Sequence, residues 1–176
     1  MISDRIAERR KVPVGEAKKL FPLDYAAKVG AEIVENIADL CIVVEVLGSV
    51  RRRRPQVHDV DMALIPKPFM WSGAILSRLK KHFEDKGVDF YLHKVGPGMA
   101  QFWLDRNLNI DIWVATTDNW GLIRLTKTGS AQHNIKLASL AKRQGKKLTE
   151  LPDMTTEKAI FEELGLDYVP PEERET

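Results

Sequence analysis

Gly48-Ser49-Val50-Arg51-Arg52 is followed by His58-Asp59-Val60-Asp61-Met62-Ala63-Leu64-Ile65 and, further along, by Leu108-Asn109-Ile110-Asp111-Ile112-Trp113-Val114. These three stretches decide the reading of the chain. The segment before the first, Cys41 to Leu47, is apolar and β-branched, which predicts a buried strand ended by Gly48-Ser49. A glycine there lets backbone N–H groups approach an anion without a Cβ in the way. The Ser49 hydroxyl adds a donor, and Arg51 or Arg52 can fork onto phosphate oxygens. In the second stretch, residues at i and i+2 share a face at roughly 6–7 Å along the strand. Asp59 and Asp61 therefore stand side by side, with Val60 turned away. Asp111 sits in apolar company on a third strand, where an unpaired carboxylate is costly. A metal is one way to satisfy it. Magnesium takes carboxylates together with substrate phosphates, and two ions about 3.5–4 Å apart can clamp the attacking and leaving oxygens of a phosphoryl transfer.

Each piece also has an ordinary reading. An Asp-x-Asp pair is common in exposed loops, Gly-Ser is often only a turn, and four arginines in a row (Arg51 to Arg54) often form a solvated loop. Their order, spacing and strand context favour the phosphate-and-metal reading of the set.

The remaining elements follow from periodicity and caps. A helix is predicted from Asp24 to Asp39, with Ala27, Ile33, Val34 and Ile37 as its apolar stripe and Asp24 as its N-cap. A second is predicted over Trp71 to Glu84, closed by Lys86-Gly87. Strands are predicted near Asp89 to Lys94, Met99 to Leu104 and Leu108 to Val114, the last two joined at Asp105-Arg106-Asn107. Helices are predicted at Asp118 to Lys127, Ser130 to Arg143 and Thr156 to Leu164. The fold class is α+β, a mixed β-sheet backed by helices followed by a small, mostly helical subdomain. The expected division is 1–117 and 118–176.

At 176 residues the chain can bury a real core. Its single cysteine, Cys41, excludes a disulfide framework and points to a reducing, cytoplasmic setting. No apolar run approaches a membrane span, and the charged start Met1 to Arg5 is not a signal sequence. The net charge of +2 hides a polarised distribution. No acid occurs from Asn119 to Thr149, which holds Arg124, Lys127, Lys136, Lys142, Arg143, Lys146 and Lys147. From Glu150 the balance inverts. A one-sign stretch over two helices is an electrostatic footprint for a polyanion. A solvated helix face is the plainer alternative, but such faces usually mix signs.

These residues resemble the DNA polymerase X family, the family of DNA polymerase beta. The similarity runs from about Lys11 to Arg174. It rests on Gly48 to Arg52, Asp59-Val60-Asp61, Ile110-Asp111-Ile112, Thr128-Gly129-Ser130 with His133-Asn134, Lys146-Lys147-Leu148, and Thr156 to Phe161 leading to Val169 to Arg174. The resemblance implies a nucleotidyltransferase palm at 1–117 and a thumb-like, nucleotide-selecting subdomain at 118–176. It implies transfer of deoxynucleotides to a DNA primer 3′-hydroxyl, as in gap filling or end repair, with two magnesium ions (or manganese) on Asp59, Asp61 and Asp111. Lys11, Gly48, Ser49, Arg52, Gly129, Ser130 and Asn134 would bind the nucleoside triphosphate. His133 is expected to be a surface or packing residue of its helix. DNA, primed or gapped, would lie along the basic stretch, and a monomer is expected.

The chain departs from the family pattern at several points. An aromatic pair before Thr-Gly-Ser is here Thr126-Lys127. A basic residue two places before the third carboxylate is Asn109, and a frequent arginine on the following helix is Ala138. Leu148 to Thr155 is short where the family carries a longer hairpin. Only 40 residues precede Cys41, leaving no room there for an amino-terminal lyase domain or helix-hairpin-helix grips, so no lyase activity is expected. The chain resembles the minimal palm-plus-one-subdomain polymerases of some viruses. A nucleotidyltransferase acting on an RNA end, a small molecule or a protein is the alternative, and a silent nucleic-acid-binding protein is the third class.

Overall fold

The computed structural model describes residues 19–71, 73–105 and 107–175. Lys11 lies outside the described residues. A short strand β1 (Phe21–Pro22) pairs antiparallel with β3 (Gln56–Val57) and leads into helix α1 (Leu23–Ile37). Pro22, not Asp24, is the N-cap of α1. A proline fixes the entry angle without a side-chain cap, and Asp24 falls in the first turn, where a carboxylate still suits the helix dipole. Ala26, Val29, Gly30, Ile33 and Ile37 form the buried stripe, whereas Ala27 and Val34, expected in it, sit at its margins and are only partly buried.

The main sheet has five strands in the order β2-β4-β7-β6-β5: β2 (Cys41–Val46), β4 (Asp59–Pro66), β5 (Phe90–Gly96), β6 (Met99–Leu104) and β7 (Leu108–Val114). Only the β4–β7 contact in it is parallel. Helix α3 (Gly73–Asp85) lies between β4 and β5 in the chain and packs with α1 on one face of the sheet. Val60, Met62 and Leu64 of β4, Ile110 and Ile112 of β7 and Phe102 of β6 meet Ile33, Ile37, Ile75, Leu79 and Phe83 in this core. Strict alternation then sends the odd-numbered residues of β4 and β7 to the opposite face. One sheet face is thus hydrocarbon, and the other carries the polar side chains.

A second core gathers Leu122 and Leu125 of α4 (Trp120–Thr128), Leu137 and Ala141 of α5 (Ala131–Arg143), and Ile160 and Phe161 of α6 (Glu157–Glu163) with Leu151 and Leu164. Ser130 caps α5 by accepting from the His133 N–H at 3.3 Å, and Thr156 caps α6 by accepting from the Ala159 N–H at 3.1 Å. Gly121 lets α4 touch α6. A Cβ at that position would stand 2.3 Å from the Thr156 carbonyl carbon. Cys41 is buried, and burial pushes its thiol up to about 11, so it acts as a small apolar residue.

Candidate active site

The site lies on the sheet face away from α1 and α3. The parallel register of β4 and β7 sets Asp61 opposite Asp111 and Asp59 opposite Asn109, while β6 places Gln101 beside Asp111. Asp59, Asp61 and Asp111 therefore share one face, as their spacing requires. Asn109 Nδ2 and Gln101 Nε2 both donate to Asp111 Oδ1, at 3.0 and 2.7 Å. One oxygen of Asp111 is held, and the carboxylate is aimed by its neighbours. Asn109 is a buried positioning group for Asp111.

Asp61 is the most burdened of the three. Burial, then the charges of Asp59 and Asp111, push its carboxyl up to about 7. Such a carboxylate gains from a cation. Among the described residues no group of three or more His, Cys, Asp or Glu side chains is placed to hold a metal ion by itself. Carboxylates are donors of the kind magnesium takes, with waters and substrate phosphates completing its shell in place of an all-protein cage.

The turn that follows β2 is a helical turn, α2 (Gly48–Arg51), rather than a plain loop. Gly48 has φ +61°, and a Cβ there would sit 2.2 Å from Asp61 Oδ2. The glycine thus makes room for the carboxylate, a reason beyond access to an anion. The Leu47 N–H donates to the Asp61 carbonyl at 2.7 Å and ties the turn to β4. A cleft of about 790 Å³ opens beside it, lined by Ser49, Arg52, Arg54, His58, Asp59, Asp61 and Glu175, among others.

The arginine run divides its work. Arg51 does not face the cleft. Its guanidinium forks onto Glu157 at 2.8 and 2.6 Å and donates to Thr128 Oγ1 at 2.6 Å. Arg52 lines the cleft, but its Nε donates to Glu175 at 2.7 Å and its Nη1 to the Thr128 carbonyl. Arg53 pairs with Glu172, and Arg54 with Glu175. Glu157 is the hub of this joint. It is 2% exposed and also accepts from Arg174 at 2.8 Å, with Arg124 at 3.6 Å. Burial would raise the Glu157 carboxyl, but hydrogen bonds from Arg51 and Arg174 hold it down to about 2. Local sequence patterns do not announce this joint. The acids of the C-terminal segment, read along the chain as a separate charge block, are the partners of the arginines beside the cleft.

The basic stretch does not form one surface. Arg124 donates to Glu45 of β2 at 2.7 Å, and Lys127 lies over the Trp113 ring with Nζ 3.3 Å from its centroid. Both face the sheet. Lys136, Lys142 and Arg143 are exposed on α5. Lys146 Nζ donates to the Glu163 carbonyl at 2.7 Å, and Lys147 Nζ to Glu150 at 2.7 Å. The physical reason is that α4 lies between the two cores, so its cations turn inward, whereas α5 exposes one side to solvent.

Gly129 follows α4, its N–H donating to the Leu125 carbonyl at 3.1 Å, and the Gly129-Ser130 peptide is cis. Asn134 Nδ2 donates to the Thr126 carbonyl at 2.7 Å, which ties α5 to the end of α4. His133 is buried against Phe161, ring centroids 5.8 Å apart, and is a packing residue rather than a surface one.

Known proteins are similar to this chain in sequence and in fold. A model of the DNA polymerase beta thumb matches residues 123–175. The DNA polymerase/3′-5′ exonuclease PolX of Bacillus subtilis (strain 168) is 24% identical over 177 residues, covering 92% of this chain and 30% of its own length. The chain thus spans less than a third of that relative. Leishmania infantum polymerase beta, in a crystal structure of its ternary gap complex, shares the fold with a TM-score of 0.71 at 17% identity, over 90% of this chain and 71% of that one. Residues 123–175 are thus similar to the thumb of DNA polymerase beta, and the mixed α+β fold is similar to that of Leishmania infantum polymerase beta.

Proposed function

We propose that the protein is a nucleotidyltransferase of polymerase type, which adds deoxynucleotides to the 3′-hydroxyl of a DNA primer at gaps or broken ends. The palm would comprise 1–117 and the nucleotide-selecting subdomain 118–176. The observation that carries this reading is the register of β4 and β7, which sets Asp61 against Asp111 with Asp59 alongside, at the edge of a cleft lined by Ser49 and Arg52.

Asp59, Asp61 and Asp111 would hold two magnesium ions, with manganese an acceptable substitute. When bound, these ions neutralise charge on the phosphates and on the attacking oxygen. The chain's own side chains supply position. Gln101 and Asn109 hold Asp111 Oδ1, which leaves the other oxygen to orient the primer hydroxyl and accept its proton. Ser49 and the cleft-facing part of Arg52 receive the triphosphate. Gly129, Ser130 and Asn134 form the wall against which the nucleotide packs, and Lys11 is assigned to the triphosphate by resemblance. The exposed cations of α5, Lys136, Lys142 and Arg143, track the DNA backbone. In this class of reaction catalysis is mainly positioning and charge stabilisation.

The test is Asp111→Asn, assayed by extension of labelled DNA and RNA primers on templated and gapped substrates. Extension of DNA should fall by about a thousandfold or more, with the fold and DNA affinity retained. Activity near wild type would overturn the assignment, and extension confined to RNA primers would replace DNA as the acceptor.

A further inference from the structure

A cation sits above the carboxylate face that the proposed chemistry does not use. Lys127, on the last turn of α4, is half-buried and rests its ammonium on the Trp113 ring, 3.3 Å from the centroid. Trp113 follows Asp111 by two residues on β7 and shares its face. The Lys127 charge is felt by both Asp61 and Asp111. The neighbouring arginines are committed elsewhere, Arg51 to Glu157, Arg52 to Glu175 and Arg124 to Glu45. Among the described residues Lys127 has no carboxylate within ion-pair distance, so an aromatic face holds it in reach of the acids without locking it to one. An ammonium on a flexible four-carbon stem can leave such a seat at little cost.

We propose that Lys127 is a tethered counter-cation of the carboxylate face, which offsets the mutual repulsion of Asp61 and Asp111 before a divalent ion arrives and competes with that ion for them. This rests on the reading of the three aspartates as divalent-cation ligands. A unit positive charge and a divalent cation repel one another, so the ammonium and the ion disfavour each other on this face.

The experiment measures Mn²⁺ binding by electron paramagnetic resonance of the free ion, on the full chain without nucleotide or DNA. Lys127→Met keeps the stem on Trp113 and removes the charge. Its Mn²⁺ affinity should rise by about tenfold over wild type at low salt, whereas Lys127→Arg should stay near wild type. Asp61→Asn is the control for the underlying site and should bind Mn²⁺ more weakly. Lys127→Met binding no more tightly than wild type, with Asp61→Asn impaired, would overturn the counter-cation assignment alone. So would Lys127→Arg binding as tightly as Lys127→Met. An Asp61→Asn variant that binds like wild type would overturn both this assignment and the metal reading beneath it.

Discussion

Gly48 and Asp61 pack so closely that a Cβ on Gly48 would lie 2.2 Å from Asp61 Oδ2. The glycine at the end of β2 is therefore matched to a particular carboxylate on β4. Replacing it moves the acid.

Gly48→Ala tests that match. The backbone there has φ +61°, which costs a non-glycine residue about 1–2 kcal/mol. The contact must also be relieved by shifting Asp61 or the turn. The variant should fold with a loss of about 2–3 kcal/mol in urea unfolding, and Mn²⁺ affinity should drop. Unchanged stability and ion binding would show that the turn relaxes freely and that the close approach has no consequence.

Glu157 predicts an acid-labile joint between the two cores. Its carboxyl titrates at about 2 in the fold, against 4.5 for an ordinary glutamate. The folded state thus favours the charged form. The stabilisation is complete above pH 4.5 and is lost as pH falls toward 2. A shift of that size corresponds to roughly 3 kcal/mol. Urea unfolding from pH 6 to pH 2.5 should show this decline, and Glu157→Gln should remove that part of the pH dependence. At neutral pH, Glu157→Gln leaves Arg51 and Arg174 without their shared anion and should cost about 3–5 kcal/mol. A variant whose stability tracks wild type at every pH would remove Glu157 from the joint.

The exposed face of α5 predicts how polyanions bind. Lys142→Ala with Arg143→Ala should weaken DNA binding about equally for all sequences. It should also reduce the slope of log affinity against log salt by about 1–2. Fluorescence anisotropy with labelled duplex and gapped DNA measures both. An unchanged salt slope would move the DNA to another surface.

Sugar selectivity is the fourth prediction. The place of an aromatic pair is taken by Thr126-Lys127. The Thr126 carbonyl is held by Asn134 Nδ2, and the Thr126 hydroxyl donates back to the Leu122 carbonyl at 2.7 Å. If the nucleotide packs here as proposed, the wall beside its sugar is built of hydrogen bonds rather than ring volume. A pocket that only packs against an extra hydroxyl rejects it weakly. The ratio of incorporation efficiencies for a deoxynucleotide and its ribonucleotide should stay below about a thousandfold, or about 4 kcal/mol. A larger ratio would show that the backbone alone supplies the block.

Much of the fold is legible along the chain because its signals are local. The strands Met99–Leu104 and Leu108–Val114 sit where alternation puts them, and the helices expected to begin at Ser130 and Thr156 begin one residue later, with those two residues as their caps. The side-by-side placement of Asp59 and Asp61 follows from a period of two. By contrast, β1 and β3 are two residues each, too short for any pattern, and exist only because they pair with one another.

What tertiary structure alone decided is which distant groups meet. Asp61 faces Asp111 because β4 and β7 run parallel in one register, which neither strand states by itself. Arg51 finds its anion 106 residues away, in Glu157. Gly121 looks like a weak point inside a helix until Thr156 is packed against it. Arg124 and Lys127 read as part of a polyanion surface, yet they turn toward Glu45 and Trp113. The sequence by itself determined the elements, the faces of the strands and the kinds of charge available. Whether a cation meets solvent, a carboxylate or an aromatic ring is settled by how the second core docks on the first. Hydrogen bonds and ion pairs act over a few ångströms of space, and separation along the chain carries no information about that distance.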